Sequence, residues 1–290
     1  MTILVIDLSY FVFHRFYATK SYVKISKQTD SISCTFDDLR FTEIFTNGFR
    51  KDMEKLAKKF TPREIYLSKD CSRIDIWRNS IYKDYKSREQ QSDFDPRAFR
   101  ITMNEILPQL MEDYRRIKIR RTYYQIPMKI ISYDECEADD ICYVLCKRIF
   151  LNEQKVVITG DHDYLQLIDE RTEVYDLKLN SLRDKSIGTA SEDLIYKILT
   201  GDKSDNIPSL CSKKNALSMI QTKTMEEIEC MYKDNSNFNL NRALVDMREI
   251  PQSIIKGVIQ EVNLQMTNGT INSERLPDTT EIDDQCWDVY

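Results

Sequence analysis

Glycine is scarce in this chain, six residues in 290, and histidine is scarcer, with only His14 and His162. No glycine-rich Walker loop is present, which excludes the P-loop route to nucleotides. Two distant histidines and eight cysteines without paired spacing leave no nitrogen and sulfur set for zinc. Cys142 and Cys146, one helical turn apart beside Leu145, read instead as small buried apolar residues. Long apolar runs are also missing, and the opening MTILVID has neither a positive flank nor a small-residue cleavage site. These absences predict an intracellular protein with reduced cysteines and no membrane partner. Charge of one sign is lacking as well: 42 Lys and Arg face 47 Asp and Glu, a net of -5, so no global basic field advertises a nucleic acid.

What is present is segregated. At 41% hydrophobic and 31% charged, the chain reads as globular and long enough for one large domain or a domain with a smaller lobe. Short Ile- and Val-rich runs ending at acidic residues recur at 3–7, 64–70, 128–132, 155–161 and 173–177. Most are separated by helical periodicity, expected over roughly 36–60, 97–124 and 137–150. That alternation predicts an α/β fold, a parallel sheet flanked by helices, over residues 1–185. From about Glu192 the pattern is short helices only, a C-terminal helical lobe over 186–265, with Pro251 able to start the last one. The tail, 266–290, is polar, acidic and aperiodic, the composition of a flexible segment.

Carboxylates fall at significant places on this frame. Asp7 ends the first run, Asp70 the second, and Asp161 with Asp163 the fourth, while Glu137, Asp139 and Asp140 in CEADD follow the third and open a helix. In an open parallel sheet those ends share one edge, where ligands bind. Asp202 and Asp205, at i, i+3 spacing in TGDKSDNIP, can point the same way. Any one of these could be an ordinary cap. Two carboxylates ~4 Å apart repel by roughly 4 kcal/mol at an effective dielectric of about 20, so a crowd of them needs an offset. An oxygen-only set suits a hard cation, Mg²⁺ with Mn²⁺ as substitute, and two such ions serve in-line displacement at phosphorus. DHDYLQLIDERTE fails as a calcium loop, with Leu165 at its fifth position and no glycine at its sixth. ITGDHDY could be an aspartyl-phosphatase loop with Asp161 as nucleophile, which would leave Asp7, Asp70 and the 202/205 pair only partly used.

A basic belt lies directly after Asp70. DIWRNSIYKDYKSRE, 75–89, interleaves Trp77, Tyr82 and Tyr85 with Arg78, Lys83, Lys86 and Arg88, the combination that stacks bases and meets phosphates. Alone, the same pattern also fits a solvated amphipathic helix anchored by its aromatics. RRIKIRR, 115–121, is equivocal and reads equally as a solvated helix face.

Six stretches, VIDLSYFVFHRFYA, WRNSIYKDYKSRE, ECEADDICYVL, ITGDHDYLQL, ILTGDKSDNIP and, more loosely, NRALVDMREIP, together resemble the structure-specific 5′-nucleases. That family includes flap endonucleases, the 5′ to 3′ exonuclease domain of bacterial DNA polymerases and phage ribonuclease H. The resemblance spans about residues 2 to 260 in family order. It implies a PIN-like nuclease domain with a helical arch or gateway around 77–124 and a helix-3-turn-helix-like, DNA-binding lobe. It implies that Asp7, Asp70, Glu137, Asp139, Asp140, Asp161 and Asp163 hold two Mg²⁺ ions, with Asp202 and Asp205 completing the second ion's surroundings. Lys86 would meet the scissile phosphate, assisted by Arg78 and Arg88. The family's glycine-rich segment after DNIP is replaced here by SLCSKKNAL, so Lys213 and Lys214 would anchor the duplex by charge. The implied function is metal-dependent 5′-nuclease action on DNA, or RNA·DNA, near 5′ ends or junctions, by a monomer with an unnamed replication partner. The alternatives are an aspartate-dependent phosphatase or a non-catalytic nucleic-acid-binding relative.

Overall fold

A computed structural model describes residues 2–26, 32–87 and 93–268. The acidic tail from 269 and Arg88 lie outside the described residues. Five strands form one parallel sheet in the order β5-β2-β1-β6-β7: β1 (Thr2–Asp7), β2 (Glu64–Ser68), β5 (Met128–Ile131), β6 (Gln154–Ile158) and β7 (Thr172–Tyr175). The parallel α/β expectation is met.

Period-2 alternation assigns each strand's side chains to two cores. Leu4, Ile6, Ile65, Leu67, Val156 and Ile158 face one side, under α1 (Leu8–Ile25) and α2 (Leu39–Phe60). Phe11, Phe41, Phe45 and Phe49 fill that layer, completely buried. Ile3, Val5, Tyr66 and Val157 face the other side, under α5 (Ala138–Val144) and α10 (Gln252–Asn268). Because both faces are covered, the strands read as continuous apolar runs.

Between β2 and β5 the chain differs from the long helix expected over 97–124. It forms α3 (Arg97–Ile101), a π turn (Thr102–Ile106) and α4 (Leu107–Asp113). An antiparallel hairpin then follows, β3 (Ile117–Ile119) and β4 (Thr122–Tyr124). RRIKIRR is therefore the end of a 3₁₀ turn (Tyr114–Arg116), the three residues of β3 and the hairpin turn: in I-K-I only Ile119 is buried, and Arg120 turns the chain at φ 56. Two β-branched residues flanking a lysine suit a strand better than a helix.

The helical stretch after β7 builds its own core. In α6 (Ala190–Thr200), α7 (Lys213–Thr222), α8 (Met225–Tyr232) and α9 (Ser236–Val245), buried Leu194, Ile198, Ala216, Ile228, Phe238 and Leu244 pack together. Thr189 with Glu192, and Thr224 with Glu227, form capping boxes, while Ser212 and Asn235 cap α7 and α9. Each such cap is worth ~1 kcal/mol. The last helix, α10, begins immediately after Pro251 and returns to the sheet. Ile254, Ile255, Val258 and Val262 bury against the α5 face, so its apolar side belongs with the sheet rather than with α6 to α9. Among the described residues no helix is long and apolar enough to cross a membrane.

Candidate metal and phosphate site

Because the strands are parallel, their carboxyl ends converge. Asp7 closes β1 and caps α1, its carboxylate accepting from the Tyr10 amide at 2.9 Å. It accepts also from Thr159 Oγ1 at 3.1 Å and the Tyr164 hydroxyl at 3.0 Å. Asp70 lies two residues past β2 and takes the Ala138 amide at 2.7 Å and the Ser9 hydroxyl. That pair of bonds ties β2, α1 and α5 together. Asp161 follows β6 and caps the 3₁₀ turn His162–Leu167, accepting from the Asp163 amide at 2.9 Å. Gly160 precedes it because a Cβ there would sit 2.5 Å from the Tyr10 ring.

These residues share one cleft of about 250 Å³. Asp7, Asp70, Glu137, Asp139, Asp161 and Asp205 line it, with Lys86, Arg73, Ser9 and Tyr164. Glu137, Asp139 and Asp140 each bring a carboxylate oxygen within 4.8 Å of the others. Burial, then the charge of Asp70, pushes the Asp7 carboxyl up to about 7. Burial likewise raises Asp70 and Asp139. These are acids held without enough positive charge. Among the described residues no Lys or Arg is ion-paired to Asp7, Asp70 or Asp161, and Asp139 meets only the edge of Arg78 at 3.8 Å.

Cations hold Glu137 and Asp140, whereas Asp205 has no ion pair among the described residues and burial raises it. Glu137 takes Lys86 Nζ, Arg78 Nη1 at 3.0 Å and the Tyr85 hydroxyl at 2.9 Å. Burial opposes its ionisation, yet Lys86 and Arg78 outweigh it and keep the carboxyl below its ordinary value. Lys86 is placed by a backbone at φ 51, with its amide on the Asp205 carbonyl at 3.1 Å. Asn206 bonds the same turn through the Asp84 carbonyl and Ser87, both at 2.8 Å. The 202–206 loop and the turn carrying Lys86 are thus stitched together. Gly201 permits that loop: at φ 63, any side chain would meet the Ile207 and Pro208 carbonyls at 2.5 Å.

Several sequence-predicted residues stand elsewhere than expected. Arg78 is 1% exposed. Its guanidinium donates to Asp140 at 2.9 and 3.0 Å and to the Leu244 carbonyl at 2.8 Å, so it joins the acidic cluster to α9 and is not open to a phosphate. Asp140 is fully buried and faces away from the cleft, spending its oxygens on Arg78, on Trp77 Nε1 at 3.0 Å and on the Glu137 amide at 3.0 Å. Trp77 and Tyr85 are buried donors to Asp140 and Glu137 and offer no open ring for base stacking, which corrects their reading as the base-stacking aromatics of the basic belt. Tyr82 is half-buried against the helical core and Lys83 is exposed. Asp163 and Asp202 share Lys197, whose Nζ lies 2.7 and 2.5 Å from them, and line a neighbouring groove of about 780 Å³ with Lys213. Burial and Asp161 raise Asp163 to about 6, whereas Lys197 and Ser204 overcome burial and hold Asp202 down to about 2. Lys213 and Lys214 stand exposed in the first turn of α7.

Lys197 was invisible to sequence reasoning, because only the packing of α6 on the 162–167 turn brings it to Asp163. Ser9, Thr159 and Tyr164 were missed too, although each stands within five residues of a flagged aspartate.

The donor set fits hard divalent cations. It is all oxygen, with Asp7 buried, Asp70 and Asp139 half-buried and Asp161 exposed at the edge of the cleft, and Asp7, Asp70 and Asp139 are short of positive charge.

The chain is similar to known proteins. The DNA polymerase I of Lactococcus lactis subsp. cremoris (strain MG1363) is 27% identical over 234 residues, covering 76% of this chain and 24% of the polymerase. The 5′-3′ exonuclease of Bacillus subtilis (strain 168) is 26% identical over 188 residues, 60% of this chain and 57% of that one. This chain therefore spans about a quarter of the length of that polymerase. Among solved structures, the bacteriophage T5 5′-exonuclease with bound zinc superposes with a TM-score of 0.58 at 14% identity, over 91% of this chain and 99% of that one. The T5 D15 flap endonuclease, in a pseudo-enzyme–product complex with DNA and metal ions, gives 0.58 at 13% identity, over 92% and 100%. At such identities the likeness establishes the fold, a PIN-like sheet with appended helices. The family model described as the 5′-3′ exonuclease N-terminal resolvase-like domain matches residues 2–198, more than half of the sequence, and the protein belongs to that family.

Proposed function

We propose that this chain is a metal-dependent 5′-nuclease that hydrolyses phosphodiester bonds of DNA, or of RNA·DNA hybrids, near 5′ ends or branch junctions. The observation that carries the proposal is the single cleft in which Asp7, Asp70, Glu137, Asp139, Asp161 and Asp205 meet beside Lys86. Asp7, Asp70, Asp139 and Asp161, with Glu137, would hold two Mg²⁺ ions, and Mn²⁺ would serve in their place. When bound, such ions supply an activated water and charge stabilisation for the leaving 3′ oxygen.

The chain's own residues do the rest. Lys86, half-buried at the mouth and held charged by Glu137 against the pull of burial, presents its ammonium to a phosphate entering the cleft. A fixed cation there favours the charge that builds in the transition state. Arg78 and Trp77 hold the start of α5 from behind, so Glu137 and Asp139 keep their direction. Ser9 and the Ala138 amide orient Asp70; Tyr164 and Thr159 orient Asp7. Lys197 screens Asp163 from Asp202 and so keeps the rear of the cleft together. The exposed Lys213 and Lys214 meet the phosphates of a duplex arm, and α6 to α9 supply the DNA-binding lobe, the expected 186–265 lobe being shortened by α10, which packs on the sheet. We further propose that the protein acts as an intracellular monomer in replication or repair.

A panel of 5′-labelled flap, nicked, single-stranded and RNA·DNA substrates, with Mg²⁺ and with chelator, tests this reading. Cleavage of one or more branched substrates with Mg²⁺ and none with chelator is expected. Hydrolysis of a small aryl phosphate without cleavage of any polynucleotide would replace it with a phosphatase.

A further inference from the structure

The nuclease reading does not use the β3–β4 hairpin. Its position follows from the register. Pro127, three residues after β4, accepts from the Ile65 amide, and β5 starts at Met128 opposite Ile65. The hairpin therefore hangs from the amino ends of β2 and β5, whereas Asp7 and Asp70 stand at the carboxyl ends. One strand length, about 20 Å, separates the two edges.

The hairpin is bound to the body on one side only. Ile119 is buried in the α1 and α2 layer, and the Ile126 amide bonds the Tyr114 carbonyl at 2.9 Å. Its outer side holds Arg116, Lys118, Arg120 and Arg121, all exposed. Among the described residues none of the four is ion-paired, in contrast to Arg115, which meets Glu112 at 3.1 Å. Tyr123 is 55% exposed. The Arg116 guanidinium lies 4.7 Å and Lys118 Nζ 5.6 Å from its ring centre, so the ring stands among cations with much of its surface open. Four uncompensated cations on so short a ribbon repel one another, and a polyanion removes that repulsion.

We infer that this hairpin is a second nucleic-acid contact, remote from the cleft, which grips the sugar-phosphate backbone of the same molecule whose 5′ region is cleaved. Arg116, Lys118, Arg120 and Arg121 meet phosphates, and Tyr123 takes the face of an unpaired base. An acidic protein segment would satisfy the cations but would leave the exposed tyrosine ring without a use, and it is the outcome that overturns the inference. The inference rests on the nuclease reading for the identity of the polymer, and extends the footprint to arms long enough to pass from one sheet edge to the other.

The test measures binding and cleavage separately. The triple variant K118A/R120A/R121A changes exposed side chains and is checked for an unchanged melting temperature. Binding is titrated against salt in chelator, with a branched DNA carrying long arms and one whose arms are too short to reach the hairpin. On the long-armed DNA the slope of log affinity against log salt flattens by about 2 to 3 units. On the short DNA it is unchanged, and so is its rate of cleavage with Mg²⁺. Y123A lowers affinity for a long single-stranded arm more than for a duplex arm, which identifies which form lies on the hairpin. Equal slopes for wild type and triple variant on the long-armed DNA overturn the inference, whichever acidic partner the cations then serve. Wild-type binding with a hairpin-dependent slope but no cleavage of either DNA would instead overturn the nuclease reading and leave the hairpin assignment standing.

Discussion

Lys86 is bonded directly to Glu137, from a turn whose backbone is held in the left-handed region at φ 51. The ammonium thus occupies a carboxylate that a divalent cation would also claim, and it points into the cleft. Two consequences are opposite in sign. Lys86→Ala removes a competitor for Glu137, so Mg²⁺ affinity measured by calorimetry stays the same or rises. It also removes the cation nearest an entering phosphate, so single-turnover cleavage at saturating enzyme falls by roughly 10²-fold. A rate within about twofold of wild type would take Lys86 away from the scissile phosphate.

Arg78 separates a structural from a substrate-binding role. Its removal leaves Glu137 and Asp140 buried beside no guanidinium, and breaking such a pair from one side costs about 3–5 kcal/mol. Urea unfolding of Arg78→Ala in chelator is expected to show that loss, and Mg²⁺ to recover part of it. Trp77→Phe deletes only one donor to Asp140 and costs about 1–3 kcal/mol. An Arg78 variant with wild-type stability and weakened DNA binding would return that residue to the substrate.

The metal-free protein is expected to lose stability as pH rises. Asp7 is raised from an ordinary 3.8 to about 7, so the folded state keeps its proton where the unfolded chain has released it. The contribution is fully present below about pH 4 and is lost as pH climbs through about 7. Melting temperatures in chelator over that window should fall, and Asp7→Asn should flatten the trend. With Mg²⁺ the order reverses, since protons compete with the ion for the same oxygens. A flat wild-type profile in chelator would mean that Asp7 is not short of positive charge.

Lys213 and Lys214 begin α7 behind the Ser212 cap, exposed and in a stretch without glycine. If charge anchors the duplex there, replacing both by Ala flattens the salt dependence of binding to a branched DNA by about 1 to 2 units. Binding to a plain single strand changes little. An unchanged slope on the branched DNA would remove duplex anchoring from this helix.

The sheet and its acidic edge were legible because a parallel strand buried on both faces is written as an unbroken apolar run, and the carboxylate that ends the run marks the carboxyl edge of the sheet. ILVID and KVVITGD carry that signal whole. The hairpin was not legible: IKI is too short for alternation to compete with the charged, helix-favouring residues around it. The orientation of the belt was lost for a different reason. Arg78 meets the Leu244 carbonyl and Asp140 across 166 and 62 residues of sequence, so no local pattern distinguishes its buried guanidinium from a phosphate-seeking one. The same holds for Trp77 and Tyr85, whose polar ends are committed to the acidic cluster behind the cleft.

The account stands most directly on one comparison, the single-turnover cleavage of a 5′-labelled branched DNA by the wild type and by Asp161→Asn, each with Mg²⁺. Asparagine caps a turn as well as aspartate does, so the 162–167 turn stays formed and circular dichroism and melting temperature in chelator remain at or above wild type. The account predicts Mg²⁺-dependent cleavage by the wild type and a loss of at least about 10²-fold in the variant. Undiminished cleavage by folded Asp161→Asn would contradict it.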